Sequence, residues 1–191
     1  MKRTTITTCI MILSLAFCKI NAQSDDAMKA WTAYMTPGDV HKMMAKSDGT
    51  WTGDVSMWMA PGQEPSKSTS TCVNRMILGG RYQESKHSGN MMGMPFEGIS
   101  TTGYDNAKKV FVNTWIDNMG TGIMMLEGPW DEASKSVILK GKSIDPMTGK
   151  EMELREVFKM IDDNTQLMEM YAVGPDGKEF KTMEIKFTRN K

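Results

Sequence analysis

Histidine is nearly absent from this chain, which has 2 histidines, His41 and His87, among 191 residues. Cysteine is almost as scarce, with 3 residues, and Cys72 alone lies beyond the N-terminal region. So few imidazoles and thiols leave little material for a nucleophile activated by a neighbouring base. The sequence also has no Gly-x-Ser-x-Gly elbow, no His-Glu-x-x-His pair and no phosphate-binding loop. Sequence motifs therefore assign no catalytic residue.

Excess charge is also missing, because 23 basic residues balance 23 acidic ones and the formal net charge is zero. A nucleic-acid-binding domain would show a basic balance or a basic patch. Aromatic residues make up only 8% and do not alternate with Lys or Arg, as they would on a surface that stacks single-stranded bases. No long basic amphipathic helix suited to a membrane surface is evident either. We expect neither a nucleic-acid nor a membrane partner for the mature chain.

The longest apolar run, Ile6 to Phe17, is too short for a membrane-spanning helix, which needs about 20 apolar residues. It follows a basic start at Lys2 and Arg3 and precedes a small residue, Ala22. This three-part pattern is typical of a secretory signal peptide. We predict that residues 1–22 are a signal peptide cleaved after Ala22, and that the protein is periplasmic or secreted.

Cleavage at this point would change the chemistry of the chain. The removed segment carries Lys2, Arg3 and Lys19 but no acid, so the mature chain has a net charge of −3. Cys72 becomes the only thiol, and an internal disulfide is then impossible. The exported domain must be stabilised by its hydrophobic core alone.

Residues 23–49 form a predicted helical segment. Asp25 to Met35 is typical of a short helix with its apolar residues near one face. A second helix is predicted to follow to about Lys46, with Thr36 as its N-cap and Pro37 in its first turn.

Residues 50–189 alternate between apolar and polar side chains, with turn residues every ten to fifteen positions. Tight turns between consecutive strands favour an antiparallel meander, and closure into a barrel would remove exposed edges. We therefore predict an all-β fold, an up-and-down antiparallel barrel of about ten strands preceded by two short helices. The predicted strands are 50–59, 67–78, 80–87, 94–104, 108–117, 121–130, 135–144, 150–161, 165–173 and 178–189.

Closure of such a barrel would bring its first and last strands together. Trp51 begins the first strand and Arg189 ends the last one. A guanidinium stacked on an indole is a common contact in folded cores. We predict that Trp51 and Arg189 form a structural pair at the seam.

Several short motifs carry a resemblance to a known family. They are Trp58-Met59-Ala60-Pro61-Gly62, Ile77-Leu78-Gly79-Gly80-Arg81-Tyr82, Met92-Gly93-Met94-Pro95-Phe96-Glu97-Gly98, Gly103-Tyr104-Asp105-Asn106, Trp115-Ile116-Asp117-Asn118-Met119-Gly120-Thr121-Gly122 and Asp176-Gly177-Lys178-Glu179. In this order, over about residues 36–189, the chain resembles the bacterial domain-of-unknown-function family 1579. Gly-x-Trp on the first strand and the late Arg resemble the signature of the calycin superfamily, to which the lipocalins belong. The resemblance implies a calycin-type barrel and transfers no catalytic residue.

A barrel of this type favours a function in binding a small apolar ligand in its interior. The loops near 60–66, 88–93, 118–120, 145–149 and 174–177 should share the end opposite the helices, where a mouth would lie. Candidate ligand-binding residues near it or on inward faces are Met92, Met94, Phe96, Trp115, Asp117, Thr121, Glu156 and Tyr171.

Glu156 is unusual because it alternates with apolar residues from Met152 to Met160. A carboxylate on such a face needs a partner or a raised pKa, and Arg75 is one candidate partner. An enzyme that uses this carboxylate is therefore an alternative function. A second alternative is a structural or interaction protein whose barrel is filled by its own side chains.

Methionine is abundant, with 21 residues, and most of it is expected to fill the core or line a pocket. His41 precedes Met43 and Met44, and His87 precedes three further methionines, and such mixed clusters also suit Cu(I). A haem ligand would need an inward histidine, for which only His87 qualifies. No metal site is assigned, the cofactor is left unknown, and the oligomeric state stays open.

Overall fold

The computed structural model describes residues 25–146, 148–174 and 176–191. The predicted signal peptide, residues 1–22, lies outside these ranges. The chain forms two compact units, one ending at Thr36 and the other running from Pro37 to Lys191. The described part of the first unit is helix α1, residues 25–35, whose Met28 and Trp31 side chains are exposed. In the described ranges, no helix is both long enough and apolar enough to cross a membrane.

The second unit begins with a short helix, α2, and continues entirely in strands. Every long strand predicted from the alternation is present, within a few residues of its expected bounds. The elements are α2 (Asp39–Ala45), β1 (Gly49–Met57), β2 (Ser66–Ile77), β3 (Tyr82–Met91), β4 (Met94–Asp105), β5 (Val110–Asp117), β6 (Met124–Gly128), β7 (Trp130–Asp131), β8 (Ser136–Ile144), β9 (Glu151–Asp162), β10 (Thr165–Val173) and β11 (Glu179–Arg189).

The strands form a closed antiparallel barrel. Their order is β6-β5-β4-β3-β2-β1-β11-β10-β9-β8-β7, and an additional pairing between β6 and β8 completes the ring. Ten strands therefore build the barrel, and the two-residue β7 is an extra strand at its edge. The predicted fold class, an up-and-down barrel of about ten strands after two short helices, is confirmed.

Two local predictions were wrong. The strand expected at 121–130 begins at Met124 and breaks at Pro129, because proline has no N–H to give to the ladder. Thr36 does not cap α2, since its hydroxyl donates instead to the Thr32 carbonyl at the end of α1, at 2.6 Å. Gly38 holds the N-cap position, and its N–H donates to Nδ1 of His41 at 3.0 Å.

The predicted seam pair is present. Trp51 on β1 lies opposite Arg189 on β11, and the guanidinium carbon is 4.1 Å from the centre of the Trp51 ring. Arg189 also donates to three backbone carbonyls, those of Lys46, Asp48 and Asp163. It therefore ties the last strand to the segment before β1 and to the β9–β10 turn.

Helix α2 packs across one end of the barrel. Its Met44 is 7% exposed and joins a core cluster that includes Phe111 and Leu126. The buried Ser47 just beyond the helix is held from several strands. Its carbonyl accepts hydrogen bonds from Trp51 Nε1 and Asn74 Nδ2, and its hydroxyl accepts one from Gln166 Nε2. These bonds fix α2 over this end of the barrel. The opposite end, where the mouth is expected, carries the β1–β2, β3–β4 and β5–β6 loops.

Candidate functional site

A cavity of about 580 Å³ occupies the interior of the barrel. It extends from Met43 and Met44 on α2 to Met91 and Met119 at the opposite end. Binding pockets for small molecules typically have volumes of roughly 300–1,000 Å³. The barrel interior is thus not filled by its own side chains.

One wall of the cavity is polar. It is formed by the inward faces of β2, β3 and β4, where small hydroxyls and amides replace the expected bulky apolar residues. Its members are Ser68, Ser70, Cys72, Asn74, Gln83, Ser85, His87, Ser100 and Thr102. Several of these groups are committed inside the protein, as when Gln83 Nε2 donates to the Met44 carbonyl at 2.8 Å. In the described residues, the Ser70 hydroxyl is buried without a hydrogen-bond partner.

The opposite wall is apolar. It is built by β1 and by β8 to β11, whose inward side chains are mostly methionine and branched aliphatic residues. They include Val55, Met57, Val137, Leu139, Phe158, Met160, Met168, Met170, Met183, Ile185 and Phe187. Methionine is flexible and polarizable, so this wall can adapt to ligands of different shape.

Glu156 interrupts the apolar wall. In the ladder it lies between Leu139 on β8 and Met170 on β10, and its own strand places Leu154 and Phe158 on the same face. Burial raises the pKa of the Glu156 carboxyl to about 7. In the described part of the chain, no hydrogen bond or ion pair engages this carboxyl. Arg75, the candidate partner, does not pair with Glu156. It lies on the outer face, where its Nη2 is 2.9 Å from Oε1 of Glu84.

His87 lies in the polar wall, on β3. Burial lowers the pKa of its imidazole to about 4, so the ring is neutral at ordinary pH. Its Nε2 lies 3.5 Å from Sγ of Cys72, which is directly opposite on β2. Burial raises the pKa of the Cys72 thiol to about 12, which leaves the sulfur protonated and unreactive. The pair is therefore a neutral polar contact and not an activated nucleophile.

Four of the eight predicted ligand-binding residues line the cavity, namely Glu156 in the apolar wall and Phe96, Trp115 and Asp117 near the mouth. The rings of Phe96 and Trp115 are stacked with centroids 6.2 Å apart. Asp117 fixes this wall, because its carboxylate accepts from Trp115 Nε1 at 2.7 Å and from two backbone N–H groups of the following turn. A Cβ at Gly98 would lie 2.4 Å from the Trp115 ring, so the indole occupies space that this position leaves open only because it has no side chain.

The structure does not bring the other four predicted residues to the cavity. Met92 and Met94 belong to the β3–β4 hairpin and are 71% and 52% exposed. Thr121 is exposed in the loop before β6. Tyr171 lies on the outer face of β10, where the Arg155 guanidinium is 3.9 Å from its ring centre. Tyr171 faces outward because successive side chains of a strand point to opposite faces and its neighbour Met170 faces inward.

In the ranges that the structure covers, no group of three or more His, Cys, Asp or Glu residues could hold a metal ion. His41 is a packing residue, because it is 5% exposed and its ring meets Tyr104 edge-on. Met43, Met44 and Met91 line the cavity as part of its general surface.

Sequence reasoning missed the polar wall. Its signal was present, because Ser68, Ser70, Cys72 and Asn74 occupy every second position of β2. Small polar residues with this period are expected to face solvent, and only the barrel topology shows that they face inward.

Comparison with known proteins adds the family. No curated protein matches the chain. A solved structure titled "Structure of a redesigned beta barrel" is similar at 9% identity and a TM-score of 0.44, over 78% of this chain and 95% of that one. The family model described as "Protein of unknown function (DUF1579)" matches residues 36–189, α2 and the whole barrel, and the chain belongs to this family.

Proposed function

We propose that this protein is exported and binds a small, mostly apolar molecule inside its barrel. The observation that supports this proposal is the cavity of about 580 Å³, with a methionine-rich wall facing a polar one. Burial of apolar ligand surface contributes about 25 cal/mol per Å². Polar groups on the facing wall would orient the ligand, as a few polar groups do in other apolar pockets.

The flexibility of the apolar wall supports a ligand whose shape is not rigidly specified. Met168, Met170 and Met183 present neighbouring thioethers along adjacent strands. Such side chains repack at little cost around different apolar shapes. The stacked Phe96 and Trp115 rings at the mouth add flat apolar surface.

The closed meander and the contact between Trp51 and Arg189 also support a relationship to the calycin superfamily. Many unrelated functions share such folds, so this relationship by itself assigns no ligand. The cavity, not the ancestry, is the basis of the functional proposal.

The proposal is tested with N-phenylnaphthylamine, an uncharged dye that fluoresces in apolar surroundings. The mature protein should bind the dye saturably with enhanced emission. Met168→Trp, which adds volume inside the cavity, should weaken binding by about tenfold or more, which is the loss of about 1.4 kcal/mol. Leu167→Trp is the matched control, because Leu167 is adjacent on β10 but faces outward.

Two results would contradict ligand binding inside the barrel. One is the absence of saturable dye binding by a protein that circular dichroism shows to be folded. The other is equal loss of binding in Met168→Trp and Leu167→Trp, which would place the dye on the surface.

Export rests on residues 1–22, with their basic start, apolar run and small Ala22. Expression with the native N-terminus should yield, in the exported fraction, a protein whose intact mass corresponds to a chain starting at Gln23. Recovery of the full-length mass from the cytoplasm alone would contradict export.

A second candidate function is an enzyme that uses Glu156 as a general acid or base. The observation in its favour is the raised pKa of about 7, since such groups work best when their pKa is near the operating pH. Glu156→Gln separates the two functions. An enzyme would lose turnover of any substrate found by screening, whereas a binding protein would change only in ligand affinity.

A further inference from the structure

The charges that line the cavity are strongly one-sided. They are the carboxylates of Asp117, Glu156, Asp162 and Asp163 and the single ammonium of Lys46. No arginine is among the described lining residues. His87 adds no positive charge, because burial keeps its pKa at about 4. An anionic ligand such as a fatty acid would therefore find little to balance its charge.

Most of these charged groups form hydrogen bonds within turns or lie at the end of the barrel that α2 covers. Asp117 is held by Trp115 and the turn after β5. Asp162 accepts a hydrogen bond from the Asn164 N–H in the β9–β10 turn. Lys46 directly follows α2, which packs across this end of the barrel. Glu156 is different because it projects from the middle of the apolar wall.

The surroundings of Glu156 supply nothing that could neutralise it. Its neighbours on the same face are Leu139 from β8, Met170 from β10, and Leu154 and Phe158 from its own strand, and none of them titrates. The titratable groups of the polar wall across the cavity, His87 and Cys72, are both neutral at ordinary pH. A buried charge without a partner is costly, and a ligand that brought the opposite charge would remove that cost. An amine nitrogen is a good match, since N–H donors to a carboxylate make strong charge-assisted hydrogen bonds.

We propose that Glu156 determines ligand class: the cavity takes an amphiphile with a protonated amine and an apolar chain, and discriminates against the corresponding fatty acid. This inference rests on the proposed function, because it assumes that the ligand occupies the barrel interior. The amine would contact Glu156, and the chain would lie along Met168, Met170 and Met183.

The test compares three ligands with the same chain and different head groups, which are dodecylamine, dodecanol and dodecanoate. Dodecylamine and dodecanoate are titrated calorimetrically below their micelle concentrations, and dodecanol below its solubility limit. The titrations are made at about pH 8, where the Glu156 carboxyl, with a pKa of about 7, is mostly ionised. The proteins are the wild type, Glu156→Gln and Glu153→Gln. Glu153 is the matched control, because it is an exposed carboxylate on the same strand, facing outward.

The wild type should bind dodecylamine at least about tenfold more tightly than dodecanoate, as expected for one charge-assisted hydrogen bond. Glu156→Gln should lose about tenfold in dodecylamine affinity and bind dodecanoate more tightly, while its affinity for uncharged dodecanol should change less than either. Glu153→Gln should behave as the wild type. Glu156→Gln removes an unpaired buried charge, so it should fold at least as well as the wild type.

The failures of the two proposals are distinguishable. Equal or tighter binding of dodecanoate by the wild type, or unchanged dodecylamine affinity in Glu156→Gln, would overturn the role of Glu156. If dodecanol and the uncharged dye still bind in that case, the barrel remains a binding site for apolar ligands. If none of the three ligands nor the dye binds, both proposals fail.

Discussion

At the scale of the residue, two ionisable side chains in the same cavity favour their neutral forms. Burial raises the pKa of Glu156 from 4.5 to about 7 and lowers that of His87 from 6.5 to about 4. The order of the strands places β9 and β3 on opposite sides of the ring. Each shift links folding stability to pH, and the two links have opposite signs.

The sign for Glu156 follows from its raised pKa. The folded protein holds this proton in a range where the unfolded chain has lost it, so its contribution is complete below about pH 4.5 and disappears as pH rises through about 7. As pH falls, His87 is protonated in the unfolded chain before it is protonated in the folded one. Its contribution is complete above about pH 6.5 and is lost as pH falls through about 4.

We therefore predict that the two contributions nearly cancel in the wild type across roughly pH 5–7. In Glu156→Gln, the free energy of unfolding should fall by about 2 kcal/mol on acidification across this range, because His87 acts alone. In His87→Gln it should rise by a similar amount. Urea unfolding of the three proteins at several pH values measures both slopes, and parallel curves would contradict the assigned shifts.

At the scale of the element, the closing seam between β6 and β8 depends on a glycine. Gly141 lies opposite Leu126, and a Cβ there would lie 2.3 Å from the Met125 carbonyl oxygen. Backbone cannot move aside as a flexible side chain can. The two strands can approach only because this position has no side chain.

We expect Gly141→Ala to lower the free energy of unfolding by about 2–3 kcal/mol, the upper range for overpacking. An opened seam would also expose two strand edges and promote aggregation. Gly122→Ala is the control, because Gly122 lies in the loop before β6 with open space around its Cβ position. Equal stability of the two variants, measured in urea and by light scattering, would show that β6 and β8 do not pair closely.

Arg189 stabilises the seam between β1 and β11, on the other side of the barrel. Three carbonyl groups and the Trp51 ring surround one planar guanidinium, which lysine cannot replace. Arg189→Lys should therefore cost about 2 kcal/mol in urea unfolding, since hydrogen bonds from charged groups contribute about 1.5–3 kcal/mol. Arg75→Lys alters an exposed ion pair on the outer face, and it should lower the free energy of unfolding by less than about 1 kcal/mol. Similar costs for both would contradict a structural role for Arg189 at the seam.

The strands were predictable from sequence because alternation and turn residues coincide along the barrel. Val55, Met57 and Ile185 alternate with polar residues, and hairpins such as Asp105 to Lys109 carry residues suited to turns. The cap at Gly38 was missed because it depends on competing local hydrogen bonds, that of the Thr36 hydroxyl to Thr32 and that of the Gly38 N–H to His41. The break at Pro129 was predictable, since proline cannot donate to the strand ladder. The role of Ser47 could not be predicted, since its three partners come from distant positions in the chain.

At the scale of the whole molecule, the site was only partly predictable. Glu156 was identifiable because a carboxylate among apolar neighbours on a strand is unusual. Met92 and Met94 were not separable from true lining residues, since exposed apolar residues at a hairpin resemble core residues in sequence. The polar wall was missed because small hydroxyl residues at every second position of a strand normally face solvent, whereas here they face the cavity.

The cavity also has a consequence for the stability of the whole barrel. A ligand that binds only the folded protein stabilises it, by about 2.7 kcal/mol at a concentration 100 times its Kd. Dodecylamine should therefore raise the melting temperature of the wild type, and raise that of Met168→Trp less. Thermal unfolding followed by circular dichroism measures this, and identical shifts in both proteins would contradict binding inside the barrel.

The most direct test of the central claim, that the barrel holds a ligand in its interior, is intact mass spectrometry of protein purified from the exported fraction. Native and denaturing spectra are compared for the wild type, Met168→Trp and Leu167→Trp. We predict an additional mass on the native wild type and on Leu167→Trp that is released on unfolding and is absent from Met168→Trp. A folded wild type with no additional mass, or the same adduct on all three proteins, would contradict the account.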